Sequence, residues 1–170
     1  MVSIFIKGGA SRRPITPDLY ERFLAAAATL LLAAMVVALA KGRGQWGEVP
    51  VLVWTHLATI IVALALTPWM LLRPRGTRLH RQLGRLWVAA MVATAFISLF
   101  VQVIRPGHFT WIHILSIFVL IMAPRVWLTA RAHNVAGHRG TVRGLVTGAL
   151  VIAGYFTFPF DRLLGHWLFG

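Results

Sequence analysis

Cysteine is absent from all 170 residues, and carboxylates are nearly so: Asp18, Glu21, Glu48 and Asp161 are the four acidic residues. Without thiols there can be no disulfide, iron–sulfur cluster, thiolate metal site or covalently attached c-type haem. Any metal or cofactor is left to the seven histidines. Without paired carboxylates, a nucleophile signature or a phosphate-binding loop, hydrolase and phosphotransferase chemistry has no residues to work with. Charged residues of both signs make up 12% of the chain, against the roughly 25% of an ordinary soluble domain. Hydrophobic residues make up 58%, and the mean hydropathy is +0.76. Lipid, rather than charge, must cover most of such a surface.

The formal net charge of +13 could suggest a nucleic-acid partner. The arginines, however, do not form a stripe between polar helices; they gather at the ends of apolar runs, which is the membrane pattern. Five such runs are visible, at residues 20–40, 51–72, 84–104, 110–130 and 142–160. Each is long enough, at about 1.5 Å per residue, to cross a hydrocarbon core of about 30 Å. Gly42, Gly44 and Pro50, then Pro74 and Gly76, then Pro106 and Gly107, then Gly137 and Gly140 mark their ends. The first run ends in Ala38-Leu39-Ala40, imitating a signal-peptide cleavage site, but its length reads as a retained helix. The expected fold class is all-α, an integral membrane bundle of about five transmembrane helices in a single domain spanning 1–170. Within it, 1–19 is a cytoplasmic amino-terminal segment and 20–40 an extra first helix.

Basic residues set the orientation. Lys7, Arg12, Arg13 and Arg22 precede the first helix; Arg73, Arg75, Arg78, Arg81 and Arg85 lie between the second and third; Arg125, Arg131, Arg139 and Arg143 lie around the junction of the fourth and fifth. The opposite flanks hold Lys41, Arg43, Arg105 and Arg162, so the balance is thirteen against four. The amino terminus is expected in the cytoplasm and the carboxyl terminus in the periplasm, with the chain in the inner membrane of a bacterium.

Helices two and three can be laid over helices four and five. Trp54-Thr55-His56 matches Trp111-Ile112-His113, His80-Arg81 matches His138-Arg139, Arg85 matches Arg143, and Pro68 matches Pro124 within one residue. This pattern predicts a duplicated two-helix unit, 51–104 and 110–160, forming a four-helix core to which the first helix is added. The stretch Leu79-His80-Arg81-Gln82-Leu83-Gly84-Arg85-Leu86-Trp87, followed by Gly137-His138-Arg139 and Arg143, resembles a family of bacterial predicted membrane proteins grouped only as a domain of unknown function. In that family the second element usually reads His-Arg-x-Trp-Met-x-Arg; here Gly140-Thr141-Val142 stands in its middle. The resemblance implies a fold and no particular activity.

Depth then pairs the histidines. His56 and His113 lie a few residues into helices two and four from the outer face, and His80 and His138 at the cytoplasmic entrances of helices three and five. Neutral imidazoles from facing helices are the axial ligands of b-type haem, and a bundle core is where such cofactors are built. The layout resembles the two-haem, four-helix transmembrane cytochromes b, where the ligands usually sit deeper than His80 and His138 do. His56 with His113, and His80 with His138, are therefore the candidate ligands of one or two haem b groups. Arg81, Arg85, Arg139 and Arg143 either contact anionic headgroups or bind the propionates. Arg125 is expected to snorkel to the cytoplasmic face or to pair with a propionate. His108, His133 and His166 have no repeat partner and read as interfacial.

Trp46, Trp54, Trp87, Trp111 and Trp167 fall near helix ends, where an aromatic belt is expected. Pro68 and Pro124 should kink helices two and four alike, and Gly144, Gly148 and Gly154 should allow close packing of helix five. Asp161-Arg162 reads as a local surface pair. The function expected is electron transfer in the membrane, with a lipid bilayer around the chain and a redox partner beside it. The competing expectation is a cofactor-free accessory or assembly subunit of a larger membrane complex. A small transporter ranks last, because the midplane holds almost no ionisable group.

Overall fold

The computed structural model describes residues 16–101, 111–159 and 162–170. Expectations placed on Lys7, Arg12, Arg13, Arg105, His108 and Asp161 fall outside the described residues. The described chain is helical, with no strand: α1 (Leu19–Lys41), a 3₁₀ segment (Gly42–Glu48), α2 (Val51–Leu72), α3 (Arg78–Ser98), α4 (Trp111–Arg131), α5 (Val135–Leu145), a π segment (Val146–Ile152), α6 (Ala153–Tyr155) and α7 (Leu163–Phe169).

Local chemistry explains where the helices start. Asp18 caps α1 by accepting from the Glu21 backbone N–H at 3.0 Å, while the Glu21 carboxylate accepts from the Asp18 N–H at 3.2 Å, a complete capping box. Thr77 caps α3 through the His80 N–H at 3.1 Å, and Asn134 caps α5 through the Gly137 N–H at 2.9 Å. These caps open α3 and α5 earlier than the apolar runs suggest, at residues 78 and 135 instead of 84 and 142. His80 and His138 thereby enter the first helical turns. Gly76, at φ 78°, and His133, at φ 53°, occupy the left-handed region at the two turns that reverse the chain at this end.

Three helical stretches are long and apolar enough to cross a membrane: Leu19–Glu48, Val51–Leu72 and His113–Arg131. Their outward faces carry large apolar side chains such as Leu30, Ile121 and Leu128, all strongly exposed. Three such helices mark the chain as a membrane protein. α3, and the continuous run from α5 through α6, begin with turns rich in arginine and histidine and become apolar afterwards.

Sequential helices pack as neighbours, α1 on α2, α2 on α3, α3 on α4 and α4 on α5. α1 also packs on the π segment, and among the described residues no comparable contact joins α2 to α5. The first helix thus completes a ring of five, where the duplication predicts an addition to a core of four. Its inward face explains this role: Ala25, Ala28 and Ala38 are buried and let neighbouring backbones approach. Gly154 serves the same contact from the other side, since a Cβ there would stand 2.9 Å from a Leu31 methyl; Gly144 faces open space instead.

Two tryptophans expected in an interfacial belt are core residues. Trp87 is buried and donates its Nε1–H to Thr67 Oγ1 at 2.9 Å, tying α3 to α2 one residue before Pro68. Trp167 is buried in α7, its ring against Gly42 and its Nε1–H donated to Gln45 at 2.6 Å. An indole with a partner for its N–H can be buried outright, which sequence position near a helix end does not reveal. With Lys41 Nζ bonded to the Leu168 carbonyl at 2.7 Å, α7 forms a cap over the end of the ring where α1 and the 3₁₀ segment meet. Trp46 and Trp54 remain half-exposed or exposed at that end, in edge contact at 5.3 Å.

Candidate functional site

The end of the ring where α1 begins is held by charge. Glu21 is 1% exposed, and its carboxylate receives Arg75 Nη2 at 2.6 Å, Arg139 Nε and Nη2 at 2.6 and 2.8 Å, and Arg143 Nε at 3.2 Å. The Arg139 guanidinium thus makes a two-pronged contact, the strongest geometry available to a carboxylate. Asp18 completes the cluster through Arg143 and through Arg139 at 3.2 Å. The backbone N–H of Glu21, together with Arg143, holds the Asp18 carboxyl below its ordinary range. One acidic side chain from α1 therefore joins the α2–α3 turn to α5.

Beside this cluster, α3 and α5 bring His80 and His138 together across the bundle, ring centroids 6.5 Å apart and planes at 71°. His138 Nδ1 sits 3.0 Å from the Val126 carbonyl of α4, which leaves Nε2 as its other coordinating atom. His80 Nδ1 is buried with no hydrogen bond among the described residues.

At the opposite end the interior is open. A cavity of about 650 Å³ is lined by α1, α2, α3, α4, the π segment, α6 and the cap around α7. His56 and His113 both line it, from the non-adjacent helices α2 and α4. His113 is buried and His56 half-buried, with His56 Nδ1 lacking a hydrogen bond among the described residues. Most of the wall is aliphatic, including Leu57, Leu64, Met91 and Leu150; Thr94, Ser98 and Ser116 add hydroxyls, and Glu48 and Arg162 stand toward the cap. Thr94 Oγ1 lies 2.8 Å from both Thr59 Oγ1 and the Ala90 carbonyl, so its polarity is met within the helices. One ring nitrogen of His56 is thus buried without a hydrogen bond among the described residues beside a largely aliphatic void.

The structure therefore brings both expected histidine pairs into reach of a common space, and treats the arginines differently. Arg139 and Arg143 bond the carboxylates of Glu21 and Asp18, Arg81 Nη1 bonds the Gly76 carbonyl at 2.6 Å, and Arg85 and Arg125 are exposed. His133 is exposed in its tight turn, and His166 is exposed on α7. Among the described residues no three histidines or carboxylates converge as a metal cluster.

Sequence reasoning passed over three elements: Glu21, the π segment and the α7 cap. The first had a usable signal, since Asp18-x-x-Glu21 ahead of an apolar run is a capping-box spacing and carboxylates are scarce. The π segment, which contributes Ala149 and Leu150 to the cavity wall, has no sequence signature, although such distortions often mark functional sites. No known family, curated protein or solved structure matches the chain.

Proposed function

We propose that the chain is a b-type cytochrome-like electron-transfer protein of the membrane, with His56 and His113 holding a haem at the cavity level and His80 and His138 forming a second ligand pair. The observation that carries this reading is that, of two pairs matched through the sequence repeat, His80 and His138 meet across non-adjacent helices and His56 and His113 line one cavity from non-adjacent helices. Two imidazoles sharing one iron have ligand nitrogens about 4 Å apart, which places the ring centroids at roughly 6 Å. The 6.5 Å between His80 and His138 fits that span. At the other level, the cavity supplies apolar walls with an unpartnered imidazole nitrogen in His56.

Haem, when bound, supplies a one-electron carrier that needs no proton donor or nucleophile from the chain. The chain's own residues hold the ligand imidazoles, exclude water with Leu57, Leu64, Met91 and Leu150, and orient one imidazole through the Val126 carbonyl. Two levels at opposite ends of one ring would lead electrons across the bilayer. In this reading five helices span the inner membrane, with the charged end in the cytoplasm and the cavity end in the periplasm.

Detergent-purified protein from haem-replete cells should show a dithionite-reduced b-type spectrum and a pyridine haemochrome. A colourless preparation overturns the reading and leaves the cofactor-free accessory subunit. Alkaline phosphatase fused after Gly170 should be active, and the same enzyme inserted at Gly76 inactive; the reverse pattern would exchange the two levels.

A further inference from the structure

Arg162 differs from Arg75, Arg139 and Arg143 of the charged end in having no carboxylate partner among the described residues. It stands between α6 and α7 on the cavity lining, half-buried, with its Nε buried and without a hydrogen bond among the described residues. It takes part in none of the ion pairs there, all of which involve Glu21 or Asp18. Burial pushes its guanidinium below its ordinary value, yet an arginine so far above neutral pH keeps its proton. A guanidinium drawn out of water without an anion is unfavourable, and a planar fork of donors suits a carboxylate.

Glu48 is the other charged group on the lining; it is exposed on the 3₁₀ segment and makes no ion pair with Arg162. The lining that Arg162 shares holds His56 and His113, the Gln45 amide, hydroxyls, and aliphatic and phenylalanine side chains. An occupant that satisfies this lining has a large apolar body, a centre for imidazole, and a carboxylate at the edge nearest α7. We infer that Arg162 binds a carboxylate of the cavity's ligand, a haem propionate on the reading above, on which this inference rests. Arg162, expected from sequence to form a surface pair with Asp161, is half-buried on the cavity lining, while Asp161 lies outside the described residues.

The test compares ferric haem b with its dimethyl ester, which lacks the free carboxylates, by titrating full-length protein purified from haem-depleted cells and following Soret absorbance. Wild type should bind the acid at least about tenfold more tightly than the ester, the worth of a charge-assisted contact. Arg162→Gln should lose about that factor for the acid and nothing for the ester, and Arg162→Lys should recover part of it. If neither compound binds wild type, the haem reading falls and this inference with it. If both bind and Arg162→Gln leaves their ratio unchanged, the role of Arg162 is refuted while the haem reading stands. Should Arg162→Gln fail to fold, the wild-type ratio decides alone, and a ratio near one overturns the inference.

Discussion

At the charged end a carboxylate that is 1% exposed meets three guanidinium groups, whereas at the cavity end no carboxylate among the described residues pairs with Arg162; buried nitrogens without a hydrogen bond among the described residues occur at both ends, on His80 and Arg75 and on His56 and Arg162. Both ends bury polar groups in an apolar ring, and the difference lies in whether the chain supplies the partner. Where it does, the groups fix which helices neighbour one another: Glu21 on α1 reaches the α2–α3 turn and α5 together. Where it does not, Arg162 stands half-buried on the cavity lining without a carboxylate among the described residues, the place that the proposed ligand would fill.

The largest expected effect separates the two ends by stability. Glu21→Ala leaves three arginines around an empty place, and breaking a buried pair from one side costs about 3–5 kcal/mol; reversible unfolding in mixed micelles should register that loss. Arg162→Gln removes an unpaired group and should change stability by less than about 1 kcal/mol. Equal losses from the two substitutions would erase the contrast between a clasp and a site.

A smaller effect is expected between the ends, where Trp87 bonds Thr67. Thr67→Val keeps the shape and strands the indole N–H, for an expected loss of about 1–3 kcal/mol. Adding Trp87→Phe should restore part of it, since removing both partners is milder than removing one. A double variant as unstable as the sum of the single ones would mean that the residues act through packing instead.

The smallest effect concerns pH at the charged end. The Asp18 carboxyl is lowered by the Glu21 backbone N–H and by Arg143, so the folded state favours its ionised form. Its contribution is fully present above the ordinary carboxylate range and is lost as pH falls through the lowered folded value. The stability difference between wild type and Asp18→Asn should hold constant from neutrality down to about pH 4 and shrink below it. A difference that grows on acidification would contradict the assigned contacts.

Much of the ring was legible because apolar length and basic ends are dictated by the bilayer. The caps Thr77 and Asn134 shifted two helix starts, since a polar turn adds residues that hydropathy alone omits. The place of α1 was not legible from the expected duplication, which concerns α2 to α5 alone and has no counterpart for the residues that clasp them. Trp87 and Trp167 were misplaced because burial depends on a hydrogen-bond partner far away in sequence, Thr67 or Gln45. The expected pairing of the histidines rests on the repeat, and the structure places His80 beside His138 and both His56 and His113 on one cavity; the contacts of the arginines were not legible, because a cation at a helix end looks the same whether it faces a headgroup, Glu21 or a cavity.

The pairing of histidines is the central claim, and haem content across alanine variants tests it most directly. His56→Ala, His113→Ala and the double variant should each lose the same haem, measured by pyridine haemochrome and the reduced spectrum, with no further loss on combining them. His80→Ala and His138→Ala should behave as a second, separate group. Loss of different haems from His56→Ala and His113→Ala, or wild-type haem content in all four single variants, would contradict the account.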